Sequence, residues 1–289
     1  MADPTEALMS LRAAAEELSV HYMTAYRYVR TGRLPATKVG GEWRVRRADL
    51  EHVLGSDPGA VLEGTAGAGD PATRDRFRPR LEDRLLAADE AGAWAVVESS
   101  LTSGATPDEV YLRLLVPVLR SIGNRWAAGE LTVHDEHRAT AIATRLVGRL
   151  GPRFRRPGRR RGVVVVGAVS GDTHALATAL LADLIRARSF DVVDLGGDTP
   201  VESFVEAAGS PEVVAVVITC SHAEVRPAVT ATVKALRRAA AGVPILVGGG
   251  GIGADEVEAL GADGSGTTAE QALDLIDQLT GRTDRRHRR

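Results

Sequence analysis

Lysine, cysteine and aromatic residues are scarce in this sequence of 289 residues, and so are long apolar runs. The single cysteine, Cys220, excludes an internal disulfide and a cysteine-based metal cluster. Lys38 and Lys234 are the only lysines, so arginine carries nearly all the positive charge, a bias that genomic composition explains as readily as function. A formal net charge of -2 excludes a chain that coats nucleic acid uniformly, so DNA binding would need a local basic patch. No apolar run approaches the roughly 20 residues that span a bilayer, and Met-Ala-Asp-Pro-Thr-Glu has no basic, apolar leader. A cytoplasmic protein without membrane contact is expected. The length exceeds what one compact domain usually holds, so two or three domains are expected.

Composition shifts divide the chain. Residues 1–54 contain a compact patterned segment, and the Gly-, Ala- and Pro-rich stretch 55–75 reads as a flexible linker. Across 76–154 the apolar spacing is helical, with Leu81, Leu85, Leu86, Trp94, Val97 and Leu101 on one stripe. Thr106-Pro107-Asp-Glu109 restarts a helix, Thr132 caps another that runs to about Leu150, and three or four helices make a small bundle. Residues 155–161 form a basic, solvated joint. From 162 to 281 strands and helices alternate. The runs 163–169, 191–195, 213–219 and 244–247, with a short fifth strand near 261–263, predict a parallel sheet covered on both faces. Helices are expected at about 174–187, 200–209, 224–240, 253–260 and 267–280, with a disordered basic tail at 282–289. Such a sheet binds ligands at the C-terminal ends of its strands.

The first segment reads as two short helices, 11–18 and 21–30, with Ala14, Ala15, Leu18, Val20, Ala25, Tyr28 and Val29 available for a common core. Thr31-Gly-Arg-Leu-Pro35 stops the second helix, Lys38 to Val45 forms a hairpin around a glycine pair, and 48–54 is a closing helix. Between 21 and 47 Arg27, Arg30, Arg33, Lys38, Arg44, Arg46 and Arg47 face one acid, Glu42, an excess suited to a DNA reader. The helix spacing and the Leu-Pro-Ala…Val-Gly-Gly-x-Trp-Arg-Val stretch resemble the excisionase-like winged helix-turn-helix, close to the MerR type. That resemblance places His21, Thr24, Tyr26 and Arg27 toward duplex DNA, with Arg30, Lys38 and wing residue Arg44 also contributing. The rival is a small helical interaction domain.

Two further signatures follow in order. Nine residues separate Trp126 from Glu136-His137, and Asp172-Thr173-His174 leaves the first strand, with Ala177 after it. Ser221 follows the third strand, and Gly248, Gly249, Gly250 and Gly251 follow the fourth. Taken alone, the tryptophan reads as core and the acids after Thr132 as a first helical turn. In combination they resemble the CarH-type adenosylcobalamin photoreceptor repressors, and the Asp-x-His, Ser and Gly-Gly pattern is shared with methionine synthases and corrinoid proteins. The resemblance implies a multidomain α and α/β protein: a winged helix-turn-helix, a helical-bundle cap and a flavodoxin-like parallel-sheet cobalamin-binding domain. It implies His174 as the lower cobalt ligand, Asp172 as its orienting partner and Thr173 beside them. Trp126 would cover the upper cofactor face, with Val133, Glu136 and His137 around the adenosyl group, and the glycines would admit the nucleotide tail.

Three residues depart from that pattern. Ala177 replaces glycine and Ala223 replaces leucine near the cofactor tail. Ala127 stands where the photoreceptor repressors carry the histidine that captures cobalt after light removes the adenosyl group. The expected protein is a non-enzymatic transcriptional regulator whose homo-oligomerisation, as dimer or tetramer, and operator binding depend on adenosylcobalamin. Two rivals stand beside it: a corrinoid carrier for methyl transfer, and a DNA-binding regulator whose sensor takes another ligand or none.

Overall fold

The computed structural model describes residues 8–17, 25, 29, 34–40, 42–50, 76–253 and 256–286. The chain divides into two compact units, Met1–Arg76 with Glu98–Thr106, and Phe77–Val97 with Pro107–Arg289. Among the described residues no helix is long and apolar enough to cross a membrane.

In the first unit, β1 (Leu8–Ser10) leads directly into α1 (Leu11–Glu17). The Ser10 hydroxyl accepts from the Ala13 amide at 3.2 Å, satisfying one of the donors a helix start leaves free. β2 (Ala36–Val39) and β3 (Glu42–Arg46) form the expected hairpin, with Gly40 at φ +60° in its turn. The sequence reading did not include β1, which pairs antiparallel with β3 and completes a sheet of order β1-β3-β2. Leu11, Ala14, Ala15, Ala25, Leu34, Val45 and Leu50 are the core, with Val29 and Trp43 packed against it. Of the expected core, Leu18, Val20 and Tyr28 lie outside the described residues, as does the linker 55–75.

Four helical segments follow, of which the second ends within Glu98–Thr106 and the rest belong to the second unit. These are α2 (Phe77–Leu86), α3 (Glu90–Thr102), α4 (Pro107–Glu109) continued by a π-helical stretch (Val110–Leu115) and α5 (Val116–Ala127), and then α6 (Val133–Leu150). The π stretch has a cause in the sequence. Pro117 has no amide hydrogen to give the Arg113 carbonyl one turn back, so the regular ladder breaks there. That carbonyl accepts instead from Arg78 Nε at 2.7 Å. α6 starts at a full capping box: Thr132 Oγ1 accepts from the Asp135 amide at 3.2 Å, and Asp135 accepts from the Thr132 amide at 3.0 Å.

Five parallel strands follow: β4 (Val163–Ala168), β5 (Asp191–Asp194), β6 (Val213–Thr219), β7 (Ile245–Gly248) and β8 (Gly264–Gly266), in the order β5-β4-β6-β7-β8. The connecting helices are α7 (Ala175–Ala187), α8 (Val201–Ala208), α9 (Arg226–Ala239), α10 (Val257–Leu260) and α11 (Ala269–Arg286). Strand order reverses at β4, so the loops after β4 and β6 meet where such sheets bind ligands.

Two expectations need correction. The fifth strand lies at 264–266 rather than near 261–263, because Gly261 at φ +75° ends α10 and Asp263 is used in the turn, accepting from the Ile245 amide at 2.7 Å. The last helix runs on through Arg286, since arginine favours helix and no proline stops it. The basic joint 155–161 is exposed throughout, as expected, and is held at its end: Arg160 pairs with Asp191 at 3.3 Å, and Arg161 pairs with Asp277 of α11 and lies 4.3 Å over the Phe190 ring.

Candidate functional site

The helical bundle and the C-terminal edge of the sheet enclose a cavity of about 910 Å³. That is near the upper end of the roughly 300–1,000 Å³ common for ligand pockets. Its floor starts at Asp172, which is fully buried. Asp172 Oδ1 accepts from the His174 ring at 2.7 Å and from the His174 amide at 3.2 Å, and Oδ2 accepts from the Ser221 amide at 2.7 Å. Burial works against the charged carboxylate, but these three hydrogen bonds outweigh it and bring its pKa down to about 2. The hydrogen bond that the His174 ring donates to Asp172 likewise raises the His174 pKa, against partial desolvation. With Nδ1–H donated to the carboxylate, Nε2 of His174 carries the lone pair.

Behind His174 the cavity continues between α7 and the sheet, past Leu180, Leu184, Val217 and Leu246. Gly248 and Gly249 line it, and the fold has its own need of them. A Cβ on Gly248 would stand 2.5 Å from the Gly266 carbonyl oxygen, and one on Gly249, at φ +110°, would stand 2.4 Å from that of Cys220. Neighbouring backbone by itself requires the glycines. The result is a wall of backbone, free of side chains, facing the cavity.

The roof comes from α5 and α6. Trp126, Glu136 and His137 line the cavity together with Ile122, Gly123, Thr140, Ala141 and Thr144. Glu136 accepts from Thr140 Oγ1 at 2.7 Å, and His137 Nδ1 lies 2.8 Å from the Val133 carbonyl oxygen, so both are tied to their own helix. The bundle's other tryptophan in this unit, Trp94, is the core residue, with the Arg149 guanidinium 3.8 Å from its ring centre. Roof and floor are joined at depth by Tyr111, whose hydroxyl donates to Asp183 Oδ2 of α7 at 2.9 Å. Burial first, then the Asp183 charge, raises the Tyr111 pKa and keeps that proton in place.

Of the cofactor residues expected from the sequence, Trp126, Glu136, His137, Thr173, His174, Ser221, Gly248 and Gly249 line this one cavity, and Asp172 supports it from beneath. Val133 is 55% exposed and does not line it, although it shares a face of α6 with residues that do. Gly250 and Ala223 lie outside the lining too, because the turn after Gly249 and the short helical turn Ala223–Val225 carry them away. Ala177 does line the cavity. Sequence reasoning missed Thr140, Ala141 and Thr144, which helical periodicity from Glu136 and His137 could have found. It missed His222 as well, the residue after Ser221. Of the DNA-contacting set, His21, Thr24, Tyr26, Arg27 and Arg30 lie outside the described residues. Lys38 pairs with Trp43 in the hairpin and Arg44 with Thr37, which places the two cations on opposite faces of the wing.

Comparison with known proteins fits this geometry. The B12 binding domain profile matches residues 162–274, a second B12 binding domain profile matches 78–150, and a helix-turn-helix domain profile matches 8–56. The chain thus carries B12 binding domains and a helix-turn-helix domain. It is 28% identical over 149 residues to trimethylamine corrinoid protein 1 of Methanosarcina acetivorans, covering 50% of this chain and 69% of that one. A corrinoid protein of Desulfitobacterium hafniense is 28% identical over 184 residues, 58% of this chain and 81% of its own. The solved monomethylamine corrinoid protein of Methanosarcina barkeri superposes with a TM-score of 0.63 at 19% identity, covering 70% of this chain and 97% of that one, which establishes the shared fold. The donor set fits the cofactor: an imidazole oriented by a buried carboxylate, beside an apolar recess with a bare backbone wall.

Proposed function

We propose that the protein is a DNA-binding transcriptional regulator whose homo-oligomerisation and DNA binding are controlled by adenosylcobalamin. The observation that carries this reading is the helix-turn-helix match at 8–56 on the same chain as the cobalamin cavity. A carrier that only passes methyl groups has no use for a DNA reader. In this reading His174 would hold the cobalt, with Asp172 fixing its ring and increasing its basicity. Trp126, Glu136 and His137, which line the roof, would enclose the cofactor's other face. The head would contact duplex DNA through residues 21–47, including Lys38 and Arg44 on the two faces of the hairpin.

Bound adenosylcobalamin supplies a cobalt–carbon bond that light can break. This chain offers Ala127 where a capturing histidine would stand, and His137 is held by the Val133 carbonyl. Without a ligand that favours the lit state, light has little differential affinity with which to shift assembly. Presence of the cofactor therefore dominates over illumination.

The test is sedimentation and duplex-DNA binding of the full chain, with and without adenosylcobalamin, in the dark and after green light. Cofactor-dependent assembly, and DNA binding lost on deleting 1–54, are expected. Complete light-driven disassembly would overturn the ranking of cofactor over light. A second reading, a corrinoid carrier for methyl transfer, is favoured by the names of the relatives. Methyl transfer with a methyltransferase, and no DNA binding in any form, would establish it instead.

A further inference from the structure

We propose that the corrinoid-free protein binds a divalent transition-metal ion at Asp172, His174 and His222. One ligand atom from each of these residues lies within 4.8 Å of the other two. The fold brings them together from two loops. Asp172 and His174 follow β4, His222 follows β6, and the Ser221 amide bonded to Asp172 Oδ2 at 2.7 Å fastens one loop to the other. The His174 and His222 ring centres are 6.2 Å apart, at an interplanar angle of 63°.

An independent observation points to a ligand here. His222 Nδ1 is buried and has no hydrogen-bond partner. The nearest carboxylate oxygen paired with it, Glu224 Oε2, is 3.6 Å away, beyond hydrogen-bonding distance. A buried ring nitrogen left unpaired needs an explanation, and a bound ion is one. Two imidazoles and a carboxylate suit zinc, nickel or cobalt(II) rather than calcium or magnesium, which prefer oxygen. The local charge agrees. Asp172 and Glu136 both act electrostatically on His174, while the neighbouring cation Arg226 is engaged by the Gly251 carbonyl at 2.7 Å and by Glu256 at 3.1 Å. Cys220 is close by, but its Sγ is directed to the His222 carbonyl oxygen at 3.4 Å and it is not part of the set. Because His174 is shared, metal and corrinoid exclude each other, a consequence that rests on His174 being the lower cobalt ligand.

The test is titration of the full corrinoid-free chain with Co²⁺, whose visible d–d absorption reports imidazole ligation, and then displacement by Zn²⁺. One ion per chain is expected. His222→Ala and His174→Ala should each weaken binding by at least the ~10–100-fold that loss of an outer-shell partner costs, while His134→Ala leaves it unchanged. His222→Gln, checked by circular dichroism, covers the case in which alanine disturbs the loop. Uptake undiminished in both folded His222 variants, or no saturable uptake, overturns the site. Preloaded Zn²⁺ should slow cobalamin uptake by the wild type but not by a His222 variant. Zn²⁺ binding that leaves cobalamin uptake unaffected overturns the shared use of His174. If the wild type takes up no cobalamin at all, the cofactor reading fails, while the Co²⁺ titration still decides the metal site.

Discussion

The two walls of the cavity are built on different terms. The floor is fixed before any ligand arrives: Asp172 uses both carboxylate oxygens, and Gly248 and Gly249 sit against neighbouring backbone with no room for a methyl group. The roof is less determined. Trp126 is 45% exposed, and Glu136 and His137 are bonded only within α6. Preorganised donors give affinity, whereas an exposed aromatic over a cavity is apolar surface that a ligand must cover. The floor should therefore decide whether cobalamin binds, and the roof what binding does to the rest of the molecule.

Gly249→Ala is the most severe way to break this contrast. The methyl group would meet the Cys220 carbonyl, and φ +110° is strained for alanine. A stability loss of about 1–3 kcal/mol is expected from the backbone conformation alone, together with loss of cobalamin uptake, measured by thermal unfolding and equilibrium titration. Wild-type uptake in this variant would show the floor to be adaptable. Next comes the joint between the walls. Tyr111→Phe removes the donor to buried Asp183, and hydrogen bonds to charged groups are worth about 1.5–3 kcal/mol. Unfolding in denaturant should show a loss of this size, and an unchanged midpoint would mean that the roof is held by packing alone.

Asp172→Asn tests the floor without removing the imidazole. It should lower cobalamin affinity about 10–100-fold, whereas Trp126→Ala in the roof should change affinity by no more than about 1.5 kcal/mol and act mainly on assembly. An equal affinity loss in the two variants would erase the distinction between the walls. The smallest effect is in pH. The Asp172 pKa is depressed, so its stabilisation is present above the ordinary carboxylate range and is lost as pH falls toward 2. The His174 pKa is raised above 6.5, so its stabilisation is full below 6.5 and is lost as pH rises through the raised value. The melting difference between wild type and His174→Ala, both corrinoid-free, should thus peak between about pH 4 and 6.5.

The sequence by itself determined the order of elements and most of the cavity's membership. Val163–Ala168 reads as a strand buried on both faces because nothing in it tolerates water, and Thr132 reads as a cap because its hydroxyl can meet the amide three residues on. Trp126, Glu136-His137 and Asp172-x-His174 were legible as motifs because each lies within one helix or loop. What the tertiary structure alone decided are the meetings of distant segments. Nothing local signals that Ser221 will bond to Asp172 across 49 residues, or Tyr111 to Asp183 across 72. Periodicity gives the face of a helix but not how far along it a ligand reaches, so Val133 was included and Thr144 omitted. The glycines show the same limit: the sequence marks where a side chain is forbidden, and only the packed structure shows that backbone occupies the space.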